Sequence, residues 1–115
     1  MREPRRDKER LLHIKEAIAR INRYMDGVPM ETLRTDDMRY YAVVKNLEII
    51  GEAANLLTES FRNAHPLSPW KMIIGMRNYI IHEYFQVKFE VVKEVLTLDL
   101  PELETQIGLY LNEEQ

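Results

Sequence analysis

The sequence predicts an all-α protein, an antiparallel bundle of four main helices plus a short helix, formed by a single domain over residues 1–115. Apolar residues recur at intervals of three and four along nearly the whole chain, as they do on the buried face of a helix. No stretch sustains the alternation of apolar and polar residues that is typical of a half-buried strand. The length of 115 residues, of which 45% are hydrophobic and 30% charged, suits one core rather than two.

The first two helices are predicted from their apolar stripes and their capping residues. The first carries apolar residues at the right spacing from Leu11 to Met25 and is ended by Asp26-Gly27 and Pro29. The second begins at the cap Thr35-Asp36-Asp37 and continues to Phe61. It has two apolar faces, so we expect it to be central in the bundle. Those faces are Tyr40, Val43, Leu47, Ile50, Ala54, Leu57 and Phe61, and Ala42, Ile49, Ala53 and Leu56.

The second half of the chain is predicted to hold a connection, a third helix, a short segment and a last helix. The connection spans Asn63 to Pro69 and contains two prolines, and the third helix starts at about Trp70. Val87 to Leu96 forms the short segment. A last helix then opens at Asp99-Leu100-Pro101-Glu102, whose acidic first turn suits the helix dipole.

Two glycines lie inside predicted helices, where each costs about 1 kcal/mol relative to alanine. Gly51 is in the second helix and Gly75 in the third. We expect this pair of small residues to let the two helices approach each other closely.

Composition excludes several kinds of site. The chain has no cysteine, which excludes disulfides, thiolate nucleophiles and the usual zinc sites. The three histidines, His13, His65 and His82, have no metal-ligand spacing, so we expect no metal and no other cofactor. No apolar run approaches the roughly 20 residues that span a bilayer, and no signal-peptide pattern follows the first residues. We therefore expect a cytoplasmic protein without membrane contact.

Net charge argues against a simple nucleic-acid binder. The formal charge is -3 and the pI is about 5.6, which would repel a polyphosphate on average. The charges are nevertheless uneven along the chain, and we interpret both charged ends as solvated surface. The basic amino end holds Arg2, Arg5, Arg6, Lys8 and Arg10, and the acidic carboxyl end holds Glu102, Glu104, Glu113 and Glu114.

The stretch GMRNYIIHEYF, from Gly75 to Phe85, places polar groups in an otherwise apolar helix end. Arg77 supplies a permanent forked cation that matches phosphate oxygens, and His82 can take and give a proton near neutral pH. Together they suffice for RNA cleavage without a metal. The histidine would deprotonate a ribose 2′-OH, and the arginine would neutralise the charge that builds on the phosphoryl oxygens.

Helix geometry separates these two groups. Five residues on an ideal helix turn through about 500°, which leaves Arg77 and His82 about 140° apart in azimuth and about 7.5 Å apart along the axis. Either the helix unwinds near Ile80-Ile81, or one site uses the two side chains from two copies related by a twofold axis. Asn78 lies one turn before His82 and could orient its imidazole. Alternatively Arg77 pairs with Glu48 or Glu52 and His82 only caps a helix end.

The residues from Ile49 to Ile107 resemble the HEPN superfamily of nucleotide-binding helical domains, and within it the HepT-type toxin ribonucleases. The resemblance is carried by Arg-x-x-x-x-His-x-Tyr, which spans Arg77 to Tyr84, and by three further elements in the same order. It covers roughly residues 5–112. The further elements are Ile50-Gly51-Glu52-Ala53, Pro69-Trp70 and Leu100-Pro101-Glu102-Leu103.

This resemblance implies a homodimeric, metal-independent endoribonuclease that acts as the toxin of a toxin–antitoxin pair. Its antitoxin would be a minimal nucleotidyltransferase of the MntA type. The implied catalytic residues are Arg77 and His82, and the implied site of AMP addition by the antitoxin is Tyr84.

Two other functions account for the same motif. A non-catalytic module could bind a nucleotide, or serve only as the partner of a nucleotidyltransferase, because an arginine and a histidine also bind phosphate without cleaving it. A purely structural dimer is the third alternative.

Overall fold

The computed structural model describes residues 6–84 and 86–113, and helices make up most of them. The described residues contain no strand, so the predicted all-α class is confirmed. Four main helices are present as predicted, with two short α-helices rather than one. In chain order the helices are α1 (Asp7–Met25), α2 (Asp37–Leu56), α3 (Glu59–Ala64), α4 (Trp70–His82), α5 (Phe89–Glu94) and α6 (Leu100–Glu113).

Helix α1 buries one face and ends where the sequence predicted. After Met25 the chain leaves the helix at Asp26, and Gly27 has a φ of 70°, which lies in the left-handed region that glycine adopts without strain. A 3-10 helix, Met30–Arg34, then leads to α2 and was not predicted. The buried face of α1 consists of Asp7, Leu11, Ile14, Ala17, Ile18 and Ile21.

Helix α2 is central, as its two apolar faces predicted, and packs against both α1 and α4. Its N-cap is Asp36, whose carboxylate accepts the backbone N–H of Arg39 at 3.1 Å. Arg20 near the end of α1 donates to Asn46 of α2 at 2.7 Å, while the start of α1 contacts the residues just after α2. The two helices therefore run antiparallel.

The predicted second helix is too long, because α2 ends at Leu56. Leu57 is extended, and Thr58 caps α3 by accepting the N–H of Phe61 at 3.0 Å. The buried carboxylate of Asp7 fixes this break, since it accepts the Thr58 N–H at 2.8 Å and the Thr58 hydroxyl at 2.7 Å. Leu57 and Phe61 still face the core, so the apolar spacing continues across a break that it cannot reveal.

The Pro69-Trp70 pair joins α4 to the end of the bundle. The Trp70 ring packs against Phe61 and Tyr110 at centroid distances of 6.2 and 6.0 Å. Its indole N–H donates to the carbonyl of His65 at 2.9 Å. These contacts place the start of α4 against α3 and α6, so this pair has a structural role.

The predicted short segment and last helix form one helical run instead of two elements. Between α5 and α6 lies a π-helix, Val95–Asp99, in which the N–H of Leu100 bonds to the carbonyl of Val95. Pro101 explains the widened turn, because proline has no N–H and its ring clashes with the carbonyl four residues earlier.

The charged ends lie mostly on the surface in the described part of the chain. Arg6, Lys8 and the glutamates of α6 are exposed, and Arg10 is partly buried. The Arg2, Arg5 and Glu114 of the predicted charged ends are outside the described residues. No helix among the described residues has the length and apolar character needed to cross a membrane.

Candidate active site

Helix α4 packs tightly against α2 at Gly51. A Cβ atom at this position would lie 2.2 Å from the Cβ of Arg77 and 3.0 Å from the carbonyl oxygen of Ile73. Only glycine therefore fits, and the predicted close approach of the two helices is confirmed on this side. The matching expectation for Gly75 is wrong, because a Cβ there would meet nothing within 4 Å.

Arg77 is held by one residue of α2 and one of its own helix. Its Nη2 forms an ion pair with Glu52 Oε2 at 2.9 Å, and its Nη1 donates to Asn78 Oδ1 at 2.8 Å. The Nε atom is buried and has no hydrogen-bond acceptor among the described residues.

The sequence left open whether Arg77 pairs with Glu48 or with Glu52, and the structure shows which of them it contacts. Of the two proposed acidic partners, Glu52 forms the ion pair, whereas Glu48 lies 3.7 Å from Lys45. The Arg77 and Glu52 side chains are 30% and 43% exposed. An ion pair this open to solvent leaves the guanidinium within reach of a phosphate.

His82 is the last residue of α4, and its side chain is exposed. The helix is α-helical through Ile80, Ile81 and His82, so the predicted alternative of an unwound turn is wrong. The azimuthal separation of about 140° between Arg77 and His82 therefore applies within one chain. No hydrogen bond joins the His82 ring to any residue that the structure describes.

Asn78 contacts the arginine rather than the histidine. Its Oδ1 accepts from Arg77, and the structure shows no hydrogen bond between Asn78 and His82. The supporting role predicted for Asn78 remains a proposal, but the group that it orients here is the guanidinium.

Tyr84 lies two residues beyond α4 and is 48% exposed. Its ring lies nearly parallel to that of Tyr41 of α2, with centroids 6.3 Å apart and an angle of 23° between the planes. Tyr41 in turn packs edge-on against Tyr40, at a centroid distance of 5.9 Å. The sequence did not predict these aromatic neighbours of Tyr84.

Two other tyrosines anchor the chain just beyond Tyr84. The Tyr40 hydroxyl donates to the carbonyl of Val87 at 2.5 Å, and the Tyr79 hydroxyl accepts the N–H of Lys88 at 3.0 Å. Burial, with smaller effects from neighbouring tyrosines and Glu90, raises the pKa of Tyr40. Tyr40 therefore stays protonated as a donor, and the segment after Tyr84 is fixed to α2 and α4.

Sequence reasoning missed Tyr41 and Lys45 of α2. With Glu48 and Glu52 they occur at intervals of four, three and four, which is the spacing of one helix face. A polar stripe of this length beside the apolar faces of a central helix was the signal that could have identified them.

Comparison with known proteins fits this arrangement of residues. The family model described as "Ribonuclease HepT-like" matches residues 14–108, which include α2, α4 and most of α6. The chain belongs to the HepT-like ribonuclease family. The predicted resemblance to HEPN proteins of the HepT type is thus confirmed.

Two relatives of this HepT-like chain show how far the similarity extends. A Caldanaerobacter subterraneus protein named "Putative RNase TTE0752" is 39% identical over 105 residues, which cover 91% of this chain and 94% of the relative. A Thermococcus cleftensis protein named "Probable ribonuclease HepT" is 35% identical over 99 residues, which cover 86% and 90%. No solved structure matches the chain.

Proposed function

We propose that this HepT-like chain is a metal-independent endoribonuclease whose active sites form between two copies of the chain. One observation carries the proposal. Helix α4 stays α-helical through His82 while Gly51 and Glu52 hold Arg77 against α2, so the offset of about 140° on an ideal helix separates the two side chains of one copy. A twofold axis near the end of α4 would bring Arg77 of one copy to His82 of the other.

Each side chain has one task in the proposed reaction. The neutral His82 imidazole takes the proton of a ribose 2′-OH, and the freed oxygen attacks the adjacent phosphorus. Arg77 donates hydrogen bonds to the phosphoryl oxygens as their negative charge grows. The bond to the 5′ oxygen breaks, and the imidazolium returns the proton to that oxygen. The products are a 2′,3′-cyclic phosphate and a 5′-hydroxyl, and no metal is required.

The surface of α4 supports a homodimer. Of its 13 residues only Trp70 and Ile80 are buried, whereas Ile81 is 43% exposed. Ile81 immediately precedes His82. A second copy that covers this end of α4 would bury apolar surface and complete the site at the same time.

A mixing experiment tests the shared site. Arg77→Ala and His82→Ala proteins, each inactive alone on single-stranded RNA, are refolded together in equal amounts, with EDTA present throughout. Half of the dimers then pair the two variants, and each has one intact site, so about a quarter of wild-type activity returns. If both groups came from the same chain, no activity would return. Folded single variants that cleave RNA at the wild-type rate would refute the catalytic assignment.

The toxin role and its control form the second part of the proposal. Tyr84 is accessible, and AMP attached to its hydroxyl would place negative charge and a nucleoside near the end of α4, where they would repel an RNA backbone. A partner nucleotidyltransferase of the MntA type, using ATP, would thereby silence the ribonuclease as an antitoxin.

Intact-mass measurement after co-expression with the partner tests this control. The wild type should gain mass in multiples of one AMP unit, whereas Tyr84→Phe should gain none and stay active. Tyr24→Phe, near the carboxyl end of α1, serves as the control and should be modified as the wild type is. A mass gain that persists in Tyr84→Phe would show that the assigned site is wrong.

A non-catalytic nucleotide-binding or interaction module is the second candidate. It is favoured by the Arg77–Glu52 ion pair, which offsets part of the charge that catalysis needs. RNA binding by the wild type without any cleavage would support this module and refute the ribonuclease.

A further inference from the structure

Four residues of α2, Tyr41, Lys45, Glu48 and Glu52, form one polar face, called here the α2 stripe. Both of its ends contact the region of Arg77 and Tyr84. Glu52 pairs with Arg77 at 2.9 Å, and the Tyr41 ring lies against that of Tyr84 at 6.3 Å. Because residue 52 meets residue 77 and residue 41 meets residue 84, α2 and the α4 region run antiparallel. Lys45 therefore lies between the two contacts.

Tyr41 presents an aromatic ring to solvent. The residue is 44% exposed, and its hydroxyl has no hydrogen-bond partner among the described residues. Contacts with Tyr40 and Tyr84 fix the orientation of the ring while leaving much of it uncovered. Unpaired RNA bases are bound in proteins by stacking on such rings.

Lys45 supplies a cation one helical turn from Tyr41, about 6 Å along the axis. Its ammonium group is 3.7 Å from Glu48, and the Lys45 side chain is 63% exposed. An exposed ion pair at this distance contributes little, so a phosphate can replace the carboxylate. The carboxylates of Glu48 and Glu52 would repel a phosphate elsewhere on the stripe, which leaves Lys45 and Arg77 as the favoured positions.

We propose that the α2 stripe binds the unpaired nucleotide next to the cleaved bond of RNA, with its base stacked on Tyr41 and its phosphate bound by Lys45. The inference rests on the proposed ribonuclease function and adds a requirement for single-stranded substrate. Tyr41 and Lys45 are then binding residues, whereas Arg77 and His82 carry out the reaction.

Binding is measured with a fluorescein-labelled single-stranded RNA and with the same sequence as a duplex, in a His82→Ala background that does not cleave. Tyr41→Ala should weaken single-strand binding by about 5- to 150-fold, the usual effect of losing one stacked base, and leave duplex binding unchanged. Tyr41→Phe keeps the ring and should restore binding. Circular dichroism confirms that each variant is folded.

The salt dependence of binding tests Lys45 separately. Lys45→Gln should reduce the slope of log affinity against log salt by about 0.7, the value for one phosphate contact on a single strand. Lys15→Gln, on the exposed face of α1, carries the same charge change and should leave the slope unaltered.

The outcomes separate this inference from the function on which it rests. If the wild type cleaves no RNA, both fail. If the wild type cleaves and Arg77→Ala does not, but Tyr41→Ala binds single strands within twofold of its parent, only the role of the α2 stripe is refuted. Equal losses on single-stranded and duplex RNA would also refute it, because they would indicate a structural effect.

Discussion

Replacing Gly51 with alanine tests the contact that places Arg77. The added Cβ would be 2.2 Å from Arg77 Cβ, 3.0 Å from Ile73 O and 3.2 Å from Arg77 Cα, and two of these three atoms are backbone. Carbon atoms in contact prefer about 3.5–4.0 Å, so α4 must move away by about 1 Å or more. Overpacking of this kind costs about 3 kcal/mol, and the better helix propensity of alanine returns about 1 kcal/mol.

The expected result is therefore a loss of about 2 kcal/mol in the free energy of unfolding, or roughly 8 °C in Tm for a chain of this size. RNA cleavage should fall as well, because α4 carries both proposed catalytic side chains. Gly75→Ala is the matched control, since its Cβ meets nothing within 4 Å, and it should stabilise the protein by about 1 kcal/mol. Urea and thermal unfolding measure both variants. A Gly51→Ala protein as stable as wild type would refute the reasoning.

Three further predictions concern carboxylates. Asp7→Ala leaves the buried N–H and hydroxyl of Thr58 without their acceptor, so the free energy of unfolding in urea should fall by about 3 kcal/mol. A fall of less than about 1 kcal/mol would contradict this. Burial, with help from nearby carboxylates, raises the pKa of Asp99 above 3.8, so its ionisation in the folded state costs stability as pH rises through and above that value. Asp99→Asn should therefore be more stable than wild type at pH 7 and equal to it below pH 3.8. If the stability difference between the two proteins were the same across this range, ionisation of Asp99 would not be its cause. Glu52→Gln keeps an acceptor for Arg77 but removes the negative charge that offsets it, so kcat/KM for RNA should rise. A lower kcat/KM would show that the charge of Glu52 is needed.

The bundle could be predicted because its helices bury stripes that the sequence displays. The capping residue Asp36 and the glycine Gly27 also predicted the start of α2 and the end of α1 correctly. The wrong predictions concern two places where a hydrogen bond is gained or lost and the helix changes, although the spacing of apolar residues does not. Thr58 starts a new helix because Asp7, 51 residues away, holds it, and periodicity carries no trace of that contact. Pro101 produces a π-helix rather than a break, because the carbonyls before it are accommodated by a wider turn.

The candidate site could be predicted only in part for a related reason. Residue chemistry proposed Arg77 and His82 as site residues, because their residue types are unusual in an apolar helix end, and the family resemblance proposed Tyr84. The choice between Glu48 and Glu52 as the partner of Arg77 depends on how two helices are aligned, and sequence spacing within one helix does not define that alignment. Gly51 contained the missing information, because the place where α4 touches α2 fixes which acidic residue faces the arginine.

The alignment set by Gly51 also connects the two proposals. Gly51 contacts Arg77, and the two helices run antiparallel, so the start of α2 lies beside the end of the α4 region. The contact at Gly51 therefore places Tyr41 against Tyr84, about three helical turns away. A nucleotide attached to Tyr84 would then lie beside the Tyr41 ring, with Lys45 one helical turn further along α2. Those are the groups proposed to bind the base and phosphate of RNA. Modification of Tyr84 would thus occupy the substrate's binding residues with a ligand of the same chemistry, and silencing would not require His82 or Arg77 to move.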